Sequence, residues 1–186
     1  MAPRFPALQE TGLPGCYELR AFRQEDARGS FVKPFHEPAF RELGLAADWR
    51  ETFVTTSAAG VLRGMHFQLP PHDHVKLVSC LRGRVLDVVL DLRADSPTYG
   101  RCASAVLDAR GGDALYVPAG LAHGFLALED GAELLYQVTR PYAPDHDTGL
   151  LWSSIPFDWP EPAPLVSERD RALPSFESFT SPFRSA

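Results

Sequence analysis

From residue 51 onward, short runs of alternating apolar and polar residues recur about every ten positions, each broken by a turn rich in Gly, Pro, Asp or Glu. That rhythm predicts strands, because successive strand side chains face opposite sides of a sheet. Strands are expected at residues 52–57, 61–68, 76–81, 85–92, 103–107, 114–117, 124–128 and 133–139. Turns are expected at 82–83, 110–113, 118–120 and 129–131. Two earlier strands, 16–22 and 30–35, flank the turn Asp26-Ala27-Arg28-Gly29. The pattern changes to a helical one at 37–45, where Pro38 suits a first turn and Gly44 lies near the end. Residues 1–15 read as an irregular arm, and 150–186 as a Pro- and Ser-rich segment wrapping the surface, with a short helix at 167–172. With neither repeat nor linker, the 186 residues form one domain.

Composition narrows the function classes. A formal charge of −6 leaves no basic footprint for nucleic acid, so an anionic ligand must be held by local Arg and Lys. Cys16, Cys80 and Cys102 are widely spaced and make no CxxC, which argues against a disulfide framework or zinc knuckle. The N-terminus lacks an apolar signal core, and no run reaches membrane-spanning length. The expectation is a soluble, cytoplasmic protein with no membrane contact.

The candidate chemistry lies in three strands. Arg63-Gly64-Met65-His66-Phe67-Gln68 is followed, ten positions after the histidine, by Lys76. Further on, Pro118-Ala119-Gly120-Leu121-Ala122-His123-Gly124-Phe125 sets a second histidine behind a turn. Two strand-borne histidines and a lysine are the polar set required to remove a proton from carbon next to a carbonyl. Gly112, Pro118, Gly120 and His123 have the spacing of the second half-motif of the cupin superfamily. The expected fold is mainly β, a cupin-type jelly-roll barrel (double-stranded β-helix) with one or two short helices. In many cupins the matching histidine binds a metal. Here His72-Asp73-His74 follows Pro70-Pro71 in an expected loop, and no carboxylate lies four or five residues beyond it. A ligand set for a divalent metal is therefore incomplete, and neither metal nor other cofactor is expected.

The chain resembles the dTDP-4-dehydrorhamnose 3,5-epimerases, cupin-fold enzymes of deoxysugar biosynthesis. The matching pieces are Asp26–Gly29, Val61–Gln68, Lys76-Leu77-Val78, Leu86–Arg93 with Ser96–Gly100, Pro118–Phe125, Glu133–Tyr136, Tyr142–Pro144 and Phe157–Pro160. The resemblance implies a nucleoside-diphospho-4-keto-6-deoxyhexose substrate, with a proton removed at C3 or C5 and returned to the opposite face. It assigns His66 as base, oriented by Asp170 of the C-terminal segment. It places Lys76 beside the C4 oxygen and makes Tyr136 the acid. Arg63 and Arg28 are assigned to the pyrophosphate and His123 to the pocket wall, while Phe31, Gln68 and Tyr142 complete the substrate-binding set. It also implies a homodimer that exchanges N-terminal strands. The competing readings are a metal-dependent cupin, such as a dioxygenase or sugar isomerase, and a sugar-binding cupin without turnover.

The match is uneven where the family reads its nucleotide. Thymidine-type members usually carry Gln-Asp-Asn-His-Ser where this chain has Glu51-Thr52-Phe53-Val54-Thr55. A carboxylate at Glu51 accepts hydrogen bonds but does not donate them as an amide does. Lys33 stands where those enzymes often have a carboxylate. Both departures put thymidine in doubt and leave another base open, cytosine included.

Overall fold

A computed structural model describes residues 7–185, so the first six residues of the expected arm lie outside the described part. The alternating runs pair into two facing antiparallel sheets, the jelly-roll architecture expected from the strand pattern. In chain order the strands are β1 (Ala7–Glu10), β2 (Tyr17–Arg20), β3 (Phe22–Asp26), β4 (Gly29–Lys33), β5 (Glu51–Ser57), β6 (Leu62–Gln68) and β7 (Lys76–Arg82). They continue with β8 (Arg84–Asp91), β9 (Cys102–Asp108), β10 (Asp113–Val117), β11 (Leu121–Ala127), β12 (Ala132–Val138) and β13 (Asp147–Gly149). One sheet runs β1-β2-β10-β7-β12-β5 and the other β13-β6-β11-β8-β9, while β3 and β4 form a separate hairpin.

Four elements differ from the pattern reading. The expected strand at 16–22 is two strands, parted at Ala21, whose N–H makes a last bond to Gly112 O at 2.9 Å before the chain leaves β10. Upstream, β2 pairs with β1 and β10; downstream, β3 turns back only on β4. Part of the expected arm is β1, which is paired with β2. In the C-terminal half, β13 adds a three-residue edge to β6, too short to show any period. The first helix, α1 (Glu37–Glu42), is cut at Leu43, ahead of Gly44 at φ +72°. The second, α2 (Glu168–Arg171), stands where a short helix was expected.

The core lies between the sheets, with Val78, Val89, Leu115, Phe125 and Leu134 in one buried cluster. A second cluster packs Met65, Phe67, Leu90 and Leu92 against Leu150, Ile155 and Phe183 of the C-terminal segment. Burial of this apolar surface fixes the segment against the barrel. Gly64 allows the tight approach of β6 to β11: at φ +143°, a Cβ there would lie 2.5 Å from Gly124 Cα.

Candidate active site

A cavity of about 280 Å³ opens between the sheets. Strand geometry brings its polar lining together from distant parts of the chain. His66 of β6 and His123 of β11 are direct cross-strand partners. Lys76 opens β7, Tyr136 lies in the adjacent β12, and Glu51, Phe53 and Thr55 line the cavity from β5. Their two-residue spacing puts the β5 trio on one face.

His66 Nε2 lies 2.8 Å from Asp170 Oδ1, across 104 positions of sequence. The carboxylate is buried while the imidazole keeps 30% of its side-chain surface exposed. Asp170 also accepts a hydrogen bond from the Gly64 N–H at 3.3 Å. Its own N–H donates to Ser167 Oγ at 3.0 Å, the N-cap of α2, which fixes the helix that carries it. Burial pulls the Asp170 carboxyl upward, but the hydrogen bond from His66, the His66 charge, the Gly64 N–H and Arg169 outweigh it. The group stays below its ordinary value and ionised at neutral pH, as an imidazole-orienting partner must be.

Lys76 Nζ donates to the His66 carbonyl at 2.9 Å, which leaves donors for the cavity it lines. Burial lowers its pKa to about 8, against the pull of Asp147 and Asp87. Tyr136 stacks on Phe53 with centroids 4.7 Å apart and planes 8° from parallel. Burial, reinforced by the Asp87 charge, pushes its hydroxyl well above the ordinary phenol range, with Thr55 and Arg63 opposing. The phenol therefore keeps its proton at neutral pH. His123 Nε2 lies 2.9 Å from both carboxylate oxygens of Asp87, and its ring meets Tyr136 edge-on at 5.8 Å.

Other expected site residues divide into three groups. Arg63 and Tyr142 line the cavity, with the Arg63 guanidinium held by Ser57 Oγ and Thr56 O at 3.1 and 3.2 Å. Gln68 also reaches the wall, but its amide is committed to the fold. Its Nε2 donates to His72 O at 2.9 Å and Pro141 O at 3.3 Å, while Oε1 accepts from Ala143 N at 2.6 Å. Arg28 and Phe31 are not in the cavity of this chain. They sit on the β3–β4 hairpin, where Arg28 pairs with Asp26 at 2.6 Å and Phe31 is 54% exposed. Lys33 lies on the same hairpin, its Nζ 6.0 Å from the Phe31 ring centre.

Sequence reasoning also missed residues. Asp87 was passed over as part of a strand run; its signal was a lone acid within Val85–Leu90, a stretch otherwise apolar. Asp147 and Arg169, paired at 2.5 Å, line the cavity too. His74, expected in a loop after Pro70-Pro71, is a cavity residue. Burial lowers it to about 3, as does the Lys76 charge, against the His72 carbonyl, so it is neutral. Among the described residues no three His, Cys, Asp or Glu side chains converge as a metal site requires.

A family model described as dTDP-4-dehydrorhamnose 3,5-epimerase matches residues 10–178. The chain belongs to the dTDP-4-dehydrorhamnose 3,5-epimerase family. As a member it is a sugar-nucleotide epimerase, of the isomerase class, and the metal-dependent and binding-only readings are not favoured. The dTDP-4-dehydrorhamnose 3,5-epimerase of Mycobacterium tuberculosis is 42% identical over 176 residues, covering 91% of this chain and 87% of its own. The dTDP-4-dehydrorhamnose 3-epimerase of Streptomyces niveus is 37% identical, covering 88% of this chain and 81% of its own. The family's fold is seen in the crystal structure of the epimerase from Legionella pneumophila, in complex with dTDP-4-keto-L-rhamnose. It matches with a TM-score of 0.91 at 28% identity, covering 97% of this chain and 100% of that one.

Proposed function

We propose that the protein inverts C3, C5 or both of a nucleoside-diphospho-4-keto-6-deoxyhexose, by proton removal and return next to the C4 ketone. The observation that carries this reading is the His66–Asp170 pair, 2.8 Å apart, opening on a cavity that Lys76 and Tyr136 also line. His66, held in orientation by the ionised Asp170, accepts the proton on carbon. The Lys76 ammonium faces the C4 oxygen, where negative charge develops as the enolate forms. Tyr136, protonated at neutral pH, returns a proton from the opposite side. Arg63 offers a forked donor to the diphosphate, and His123, fixed by Asp87, forms the wall beside it.

Arg28 and Phe31 fit this scheme through a second copy of the chain. The exposed β3–β4 hairpin is free to carry them to a partner's cavity, in a homodimer; light scattering that gives a monomer at working concentration contradicts this. Three thiols without a disulfide suit a reducing, cytoplasmic site of action. The activity is tested by incubating the protein with a 4-keto-6-deoxy sugar nucleotide in heavy water and following C3 and C5 by NMR. Deuterium at either carbon, with the inverted product, supports the reading. A substrate that stays fully protonated across dTDP-, CDP-, UDP- and GDP-linked sugars contradicts it.

A further inference from the structure

Phe53 lines the cavity, yet the proton transfers above give it no task. It lies on β5, the edge strand of its sheet, directly opposite Tyr136 of β12. Phe53 is 42% exposed, whereas the tyrosine it covers is 7% exposed. Among the described residues it joins none of the buried apolar clusters. Its ring instead lies flat on the phenol, 4.7 Å away and 8° from parallel. From the opposite sheet His123 meets the same phenol edge-on, at 5.8 Å and 69°, and Asp87 fixes that imidazole at 2.9 Å. The torsion that turns a tyrosine ring is broad, so its own rotamer preference sets the ring plane loosely. A stacked face and a fixed edge, in the two geometries aromatic pairs favour, set it tightly.

Resting on the reading of Tyr136 as the acid, we infer that Phe53 is a positioning residue for proton return, holding the phenol so that its hydroxyl addresses the carbon face opposite His66. Two fates compete once the enolate forms. His66 can hand a proton back to the face it came from, which regenerates the substrate. Tyr136 can deliver one to the other face, which gives the inverted sugar. In the second case the imidazolium releases its proton to water and the phenolate takes one up, so the net change is inversion alone. Abstraction calls on His66 and Lys76 and not on the phenol. The aim of the phenol therefore governs how the enolate partitions and leaves its formation untouched. The cover works in the same direction, because a buried phenol keeps its proton until the enolate asks for it.

The test is early-time NMR in heavy water, with the 4-keto-6-deoxy sugar nucleotide the wild type turns over. It reads the ratio of deuterium in the inverted product to deuterium in the recovered substrate. Phe53→Leu, apolar but without a flat face, is expected to lower that ratio on the order of tenfold, while total uptake stays close to that of the wild type. Phe53→Tyr, which keeps the flat face, is expected to keep the ratio. A general loss of structure lowers uptake and inversion together, so the ratio separates positioning from folding. Tyr136→Phe, measured beside them, is expected to lower the ratio by about 10²-fold. If it does and Phe53→Leu keeps the wild-type ratio, the role of Phe53 is overturned and the acid assignment stands. A ratio in Phe53→Tyr as low as in Phe53→Leu overturns stacking as the cause. If Tyr136→Phe keeps the wild-type ratio, the acid assignment falls and this inference falls with it.

Discussion

The barrel holds two histidine–aspartate pairs on neighbouring strands, and they are built for different work. His123 and Asp87 come from adjacent β11 and β8, and their side chains are 4% and 0% exposed. His66 sits one strand over, but its aspartate arrives from a helix in the C-terminal segment. Its ring remains open to the cavity. Both carboxylates are buried and both hydrogen-bond an imidazole, so chemistry alone does not separate the pairs. Access does: only the His66 ring has a substantial exposed surface from which to meet a carbon-bound proton. The closed pair is a fixed wall, held within one sheet.

The sharpest way to break this contrast is to neutralise each aspartate in turn. Asp170→Asn is expected to lower kcat by roughly 10²–10⁴-fold, because the imidazole loses both orientation and the charge that stabilises its protonated form. Asp87→Ala is expected to act mainly on stability, by about 1–3 kcal/mol in denaturant unfolding, since it strands a buried imidazole. A larger loss of kcat in Asp87→Ala than in Asp170→Asn would reverse the assignment. Next in size, Tyr136→Phe is expected to reduce inversion by about 10²-fold while solvent exchange continues, because abstraction survives and return from the opposite face does not.

The pH profile sharpens the open pair's dependence on its neighbour. Lys76 must be protonated to face the enolate, and its pKa is lowered to about 8. Loss of that proton gives the profile its alkaline limb, on which the rate falls as pH rises through about 8. Tyr136 is not the source of this limb, since its hydroxyl is shifted upward. Asp147 raises the Lys76 pKa, so Asp147→Asn moves the limb to lower pH. An unmoved limb in that variant excludes Lys76 as its origin. The smallest effect belongs to the cap that positions Asp170: Ser167→Ala costs ~1 kcal/mol of stability, read from thermal unfolding.

The two pairs also mark how far the sequence can be read. His66 and Lys76 stood out as polar residues on strands whose flanking turns are plain, whereas Tyr136, inside an apolar strand, was singled out only by the resemblance. Asp170 carried no local signal beyond a short helix start, and only resemblance linked it to a residue 104 positions earlier. Asp87 was hidden for the opposite reason: its strand is buried on both faces, so a single acid looked like part of an apolar run. Arg28 and Phe31 were read as pocket residues, yet their hairpin leaves the sheet at Ala21 and keeps them out of this chain's cavity. Short β1 and β13 were missed because three or four residues cannot establish a period.

The account's central claim, that the open pair takes the proton from carbon, is tested most directly by NMR-detected solvent exchange in His66→Ala beside the wild type. With the 4-keto-6-deoxy sugar nucleotide the wild type turns over, the account predicts that deuterium uptake at C3 and C5 falls by about 10²–10⁴-fold or more in a variant that still folds. Uptake at the wild-type rate in that variant would contradict it.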